Sequence, residues 1–242
     1  MLMNWLVQVH SELALLPETL FLGSNYVDRY LSRRMVSKDE LPLVAMAAIL
    51  IAWKYAQASK PVVQEIIDAV GGIYTVDKIV EWERYMLSAL QYDLGWPGPM
   101  VFLQRISEVD DGDVDTQHLA QYFVEVALMD ERFVARPPSL VVAASYCLAG
   151  SMRGKEARET WVCFTVIPCE SVISLLIVLQ TTRHISLSEY TYVQLRPLLL
   201  VILECCMNPP KHHVAVSEKY FDASTFVAAR LSESSSRTTV SS

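Results

Sequence analysis

Apolar side chains recur every three or four residues through most of this 242-residue chain, the period of a helix that buries one face. Trp5, Leu6, Val9 and Leu13 predict a first helix over residues 4–13. Pro17 suits the first turn of a second helix, and Glu18 complements the positive end of its dipole. That helix is expected to bury Leu20, Phe21, Tyr26, Val27, Tyr30 and Leu31. Ser37 is the expected N-cap of a third, "KDELPLVAMAAILIAWKYA", with Asp39 and Glu40 in its first turn. Apolar residues lie on every side of this third helix, so it belongs at the centre of a bundle. A short helix starts near Pro61 and stops at Gly71-Gly72. Thr75, three residues before Lys78, caps "VDKIVEWERYMLSAL". "GWPGP" at 95–99 then breaks all regular structure and marks a linker.

Beyond the linker the pattern resumes. Asp115 or Thr116 is expected to cap "TQHLAQYFVEVALMDERFV", and "RPPSLVVAASYCLAGSM" reads as a buried small-residue helix. Each half therefore carries a long helix with an acid–arginine step (Asp28-Arg29; Glu131-Arg132), a short basic stretch and an Ala-rich apolar helix. This weak repeat predicts two copies of one all-helical unit. Residues 162–183 hold neither a helical nor a strand period, and Pro168 interrupts them. "SLSEYTYVQLRPLLLVILECC" returns to a helix, and the Ser/Thr-rich residues 229–242 are expected to be disordered.

Composition narrows the function classes. Hydrophobic residues make up 52% of the chain and charged residues 19%, enough apolar surface for a substantial core. With 8 glycines, barrels, sandwiches and glycine-rich nucleotide loops are disfavoured. A net charge of −7 repels phosphates, so no nucleic-acid partner is expected. "LVAMAAILIAW" is about half of a membrane span, so no membrane partner is expected either. The N-terminus lacks the basic and small-residue signals of a leader, which implies cytoplasm or nucleus. The five cysteines form no C-x-x-C pair and read as buried reduced thiols.

Candidate chemistry is sparse. "DDGDVD" at 110–115 has the wrong residues at the calcium-loop positions and reads as a solvated turn and helix start. His212-His213 reads as a surface loop, because no cysteine or carboxylate lies at a metal-ligand spacing. No catalytic fingerprint is present, so neither a metal nor a cofactor is expected and a binding protein comes before an enzyme. Lys54 ends the most apolar helix, and Glu83 sits inside "IVEWERYML". Packing of those two helices would bring both charges near one surface. There they are either an ordinary surface ion pair or a group able to grip a partner's helix end.

"NWLVQVH", "LLPETLFLGSNYVDRYLS", "VSKDELPLVAMAAILIAWKYAQASKP", "IVEWERYMLSALQYDLGWPGP", "FLQRISEVDDGDVDTQHLAQYFVEVALMDERF" and "PSLVVAASYCLA" resemble B-type mitotic cyclins, fungal ones most of all. "RPLLLVILECCMNPPKHHVAV" and "ASTFV" resemble the end of a second cyclin box. The resemblance implies an all-α fold of two tandem five-helix cyclin boxes, the second irregular. The boxes would span 1–96 and 97–228. It implies a regulatory subunit, not an enzyme, that binds and activates a cyclin-dependent protein kinase as a heterodimer and acts in nucleus and cytoplasm. By carry-over, Lys54 and Glu83 grip the kinase's mobile helix, with Ile51, Tyr55, Leu87, Tyr92 and Leu94 as apolar neighbours. A substrate-docking patch for peptides with a basic-x-Leu motif maps to Met1, Leu2, Trp5, Gln8 and Leu41.

Some positions depart from the family pattern. The arginine that pairs with the aspartate matching Asp28 would precede Met1, so Asp28 is expected to be unpaired or repaired by another residue. Pro42 replaces a glutamine that binds docked peptide, and Ala56-Gln57 replace two acids. The alternatives are a cyclin-fold scaffold for transcription machinery, a truncated cyclin without kinase activation, and a helical-bundle enzyme. In the family the tryptophan matching Trp161 leads within a few residues into the segment like "SLSEYTYVQLRPL". The expectation is that residues 162–183 are a translated intron and that the start codon is misplaced. Transcript reads should join the Trp161 codon directly to those near Ser186. Uninterrupted coverage of 162–183 in mature messages would overturn this.

Overall fold

The computed structural model describes residues 2–59, 61–69, 71–109, 113–153, 190–207 and 209–222. The irregular stretch 162–183 and the tail 229–242 lie outside the described residues. Regular structure among the described residues is helical. The chain divides into two compact units, Met1–Gly98 and Pro99–Ser242.

The first unit contains α1 (Leu2–Glu12), α2 (Pro17–Leu31), α3 (Leu41–Ala56), α4 (Val63–Ala69) and α5 (Val76–Ala89). α3 is its axle. Every residue from Leu43 to Trp53 is buried, and α1, α2, α4 and α5 all pack against it. At Gly23 of α2 a methyl group would lie in ordinary van der Waals contact with Ile49 Cδ1, at 3.5 Å, so α2 runs close against α3 here. α1 turns into α2 through Ala14, which takes a left-handed φ of 47°. The buried His10 ring spans this turn, its Nε2 2.9 Å from the Leu16 carbonyl. α2 then opens on Pro17, as expected. Leu31 is the exception to its predicted core face and is 36% exposed.

Ser37 does not cap α3. The helix starts at Leu41, with Glu40 at the cap position, while Ser37 donates from its backbone N–H and hydroxyl to the Glu40 carboxylate at 3.1 and 2.8 Å. Pro42 explains the shift. A helix begun after Ser37 would put Pro42 beyond the first turn, where its missing N–H removes a ladder bond. Thr75 does cap α5, accepting from the Lys78 N–H.

The second unit contains α6 (Pro99–Val109), α7 (Val114–Leu128), a 3-10 turn (Glu131–Phe133) and α8 (Pro138–Arg153). After the undescribed stretch come α9 (Tyr192–Cys206), α10 (Pro209–His212) and α11 (Val214–Asp222). Asp113, not Asp115 or Thr116, caps α7. Its carboxylate accepts from the Asp115 N–H and from the Thr116 hydroxyl, so one side chain satisfies two donors. α7 packs on α8 as α2 packs on α3, but the acid–arginine steps are not equivalent. Asp28-Arg29 lies inside α2, whereas Glu131-Arg132 falls in the 3-10 turn beyond α7.

His212-His213 is not a surface loop. His213 is fully buried, with its Nε2 2.9 Å from the Tyr122 hydroxyl. Burial, aided by His212, pushes its pKa down to about 4. His212 Nε2 lies 3.3 Å from Asp130 Oδ2. A second buried polar contact fixes α11: Glu125 of α7, fully buried, accepts from Lys219 Nζ at 2.8 Å and from the Tyr220 hydroxyl at 3.0 Å. A carboxylate so enclosed tolerates its charge only with a cation beside it. Lys219→Met should therefore destabilise the second unit by about 3–5 kcal/mol in denaturant unfolding. A loss within experimental error would show that Glu125 does not depend on that cation.

Candidate protein-binding site

The last turn of α3 leaves the core next to the middle of α5. α5 buries Ile79, Trp82, Glu83 and Met86, which are three and four residues apart and line the stripe that faces α3. Glu83 falls within this stripe and is 9% exposed. Lys54, on the final turn of α3, reaches it: Nζ to Oε1 is 2.7 Å. The ammonium end stays half in solvent while the carboxylate is nearly enclosed. The pair is thus a single polar feature at the rim of an apolar packing surface, with donors on Lys54 still free to bind another group.

The neighbours differ in exposure. Ile51 is buried, Leu87 and Leu94 are half-buried, and Tyr55 and Tyr92 are 54% and 70% exposed. Tyr92 owes its position to an unusual backbone. Gln91 and Tyr92 both take left-handed φ values of 57°, a conformation that costs non-glycine residues about 1–2 kcal/mol each. Hydrogen bonds hold the turn, from the Tyr92 N–H to the Leu87 carbonyl at 3.0 Å and from the Asp93 N–H to the Leu90 carbonyl at 3.1 Å.

α2 and the residues just after it clamp this turn and the end of α5 with side chains that the sequence alone did not single out as functional. The buried Tyr26 donates its hydroxyl to the Leu94 carbonyl at 2.9 Å. Burial, with Tyr55 nearby, pushes the Tyr26 pKa up to about 12, so it remains a neutral donor. Arg29 pairs with Asp93 at 3.2 Å. Arg33 donates to the Ala89 carbonyl at 2.6 Å, placing a cation at the negative end of the α5 dipole. Asp28 is different: it is half-buried and has no charge partner or side-chain hydrogen bond among the described residues. Burial raises its pKa.

The residues of the expected docking patch are spread over two helices. Leu2 and Trp5 are half-buried and Gln8 is exposed on α1, and Leu41 is half-buried at the start of α3. Met1 lies outside the described residues. Lys54 and Glu83 are the predicted site residues that the fold joins by a direct bond.

Comparison with known proteins decides the family. Residues 1–95 match the family described as Cyclin, N-terminal domain, and residues 97–234 match Cyclin, C-terminal domain. The chain belongs to the cyclin family. Among its relatives, the G2/mitotic-specific cyclin-4 of Candida albicans is 41% identical over 219 residues, covering 90% of this cyclin and 40% of the relative. The G2/mitotic-specific cyclin cig1 of Schizosaccharomyces pombe is 42% identical, covering 91% and 48%. The G2/mitotic-specific cyclin-4 of Saccharomyces cerevisiae is 34% identical, covering 96% and 46%. This cyclin spans less than half the length of these curated relatives. In fold it is similar to a viral cyclin from herpesvirus saimiri, with a TM-score of 0.68 at 17% identity, covering 84% of this chain and 82% of that one.

Asp28 gives this cyclin a testable pH signature. A group whose pKa is raised on folding contributes most below its unfolded value and loses that contribution as pH rises through the folded value. Asp28 therefore costs stability at neutral pH. Asp28→Asn should raise the melting temperature at pH 7, and the gain should shrink as pH falls toward 4. A gain that is equal at both pH values, or a loss at pH 7, would contradict this assignment.

Proposed function

We propose that this chain is the regulatory subunit of a cyclin-dependent protein kinase at mitotic entry, and that it binds the kinase through the Lys54–Glu83 face. The observation that carries the reading is the 2.7 Å contact between a half-exposed lysine and an enclosed glutamate on a cyclin fold, beside the exposed rings of Tyr55 and Tyr92. An ammonium with unused donors can cap the carbonyl end of a partner's helix by charge-assisted hydrogen bonds. Aromatic rings and Ile51, Leu87 and Leu94 supply the apolar contact around that grip, and exposed aromatics are common anchors of interfaces.

The mechanism needs no chemistry from this chain. A kinase whose glutamate-bearing regulatory helix is turned away leaves its ATP-positioning lysine unpaired. A rigid surface that fits only the inward position shifts the kinase to that state through differential affinity. Rigidity here comes from the enclosed α3 and from the clamps that Tyr26, Arg29 and Arg33 place on the end of α5. The same reading assigns Leu2, Trp5, Gln8 and Leu41 to docking of substrate peptides with a basic-x-Leu motif, and the complex to nucleus and cytoplasm. No cofactor enters it.

Lys54→Ala combined with Glu83→Ala should abolish co-purification with a cyclin-dependent kinase and reduce histone phosphorylation to the level of the kinase alone, with helix content unchanged by circular dichroism. Full activation by a folded double variant would remove the site assignment. Co-purification without activation in the parent chain would favour a scaffold over an activator.

A further inference from the structure

The second unit holds a cluster that the kinase reading does not use. Asp130, Cys205 and His212 come from the turn after α7, from α9 and from α10, and one ligand atom of each lies within 4.8 Å of those of the other two. Cys205 Sγ is 3.3 Å from Asp130 Oδ2, and His212 Nε2 is also 3.3 Å from it. Ligands bound tetrahedrally to zinc at about 2.0–2.3 Å are separated by about 3.3–3.7 Å. The two distances to Asp130 Oδ2 match those of a first coordination sphere, and the Cys205 and His212 ligand atoms lie within 4.8 Å of each other.

We propose that Asp130, Cys205 and His212 form a zinc-class metal site that binds one divalent transition ion through oxygen, thiolate sulfur and imidazole nitrogen. The mixed donor set suits zinc or cobalt and disfavours calcium and magnesium, which take oxygen ligands. Three protein ligands leave a fourth position for water. Asp130 and Cys205 are buried, while the His212 side chain is 22% exposed and offers a route in.

The surrounding groups fit the exchange. His212 Nδ1 is 3.1 Å from His213 Nδ1, and His213 Nε2 is 2.9 Å from the Tyr122 hydroxyl. Without metal, every donor is matched if His212 Nε2–H points to Asp130, His213 Nδ1–H to His212, and the Tyr122 hydroxyl to His213. With metal, His212 presents its Nε2 lone pair and donates from Nδ1–H to His213 Nδ1, and His213 donates from Nε2–H to the Tyr122 oxygen. The Tyr122 hydroxyl then turns its proton to Cys206, with which it already interacts. Each ring carries one proton in both states. The net release is the single Cys205 thiol proton. This outer hydrogen bond from a ligating histidine to a fixed acceptor is the usual support of a metal site.

Arg132 is the competitor. It donates to Asp130 at 2.7 Å and to Glu204 at 2.7 Å, and its Nη2 is 3.7 Å from Cys205 Sγ. If it gives up Asp130, it keeps Glu204 as a partner. Asp130 and the Cys205 thiolate then neutralise the metal charge between them. Guanidinium and metal ion thus contend for one carboxylate. This gives the proposal an opposite-signed test that a purely structural network does not share.

The test uses the full chain without a tag, stripped with chelator and titrated with Co²⁺ and then Zn²⁺. The expected result is one equivalent bound, with a near-ultraviolet thiolate-to-cobalt band. Cys205→Ser should abolish the band, and His212→Gln should weaken zinc binding at least ~10-fold. Cys206→Ser should keep both band and stoichiometry, and Arg132→Gln should tighten binding. Circular dichroism checks that each variant is folded. The unmodified chain decides by itself if a variant is not. Failure of the unmodified chain to take up metal, a band that survives in Cys205→Ser, or weaker binding by folded Arg132→Gln would overturn the proposal.

Discussion

A helix that is apolar on every side has to be enclosed, and enclosure dictates where its end emerges. That constraint governs the first unit. α3 carries no polar stripe to leave in water, so four helices surround it and Leu43 to Trp53 disappear from the surface. The first cation along α3 is Lys54, and it surfaces against α5 at the one point where that helix turns an acid inward. The position of the ion pair is a consequence of the core.

The pair would be a minor feature if it were only a surface salt bridge, worth about 0–1 kcal/mol. Its setting makes the difference. Glu83 is nearly enclosed and cannot give up its cation cheaply, while Lys54 remains accessible to another molecule. The backbone beyond α5 is held in a strained left-handed turn by three side chains from α2 and the residues after it. Strain persists where surrounding contacts over-determine it. Here it keeps Tyr92 exposed beside the pair's helix. Cyclin-fold membership and this local stiffness support one reading, a surface that selects a partner's conformation without reacting.

Much of the fold was legible because hydrophobic period survives without knowledge of contacts. α2 and α5 carry it cleanly, α3 stands out as apolar on every side, and Pro17 and Thr75 stand where helix starts need them. Ser37 misled because an N-cap signal is local, whereas Pro42 five residues later limits how early the helix can start. Asp113 is hard to single out because the aspartates at 110, 111, 113 and 115 offer several equivalent caps. Lys54 and Glu83 were readable as a pair, since both lie on clearly marked helices and are only 29 residues apart.

The second unit was less legible. His212 and His213 have no side-chain partner in their own stretch but each other, and their other contacts lie 82 and 91 residues upstream at Asp130 and Tyr122. No spacing rule reaches that far, so nothing in the sequence marks His213 as buried or His212 as half-buried. The same holds for Arg29 and Arg33, whose partners are 64 and 56 residues away. Hydrogen–deuterium exchange of the full chain with and without an excess of cyclin-dependent kinase tests the central claim most directly. The account predicts kinase-dependent protection concentrated at residues 51–55 and 83–94. Protection confined to the second unit, or none at all, would contradict it.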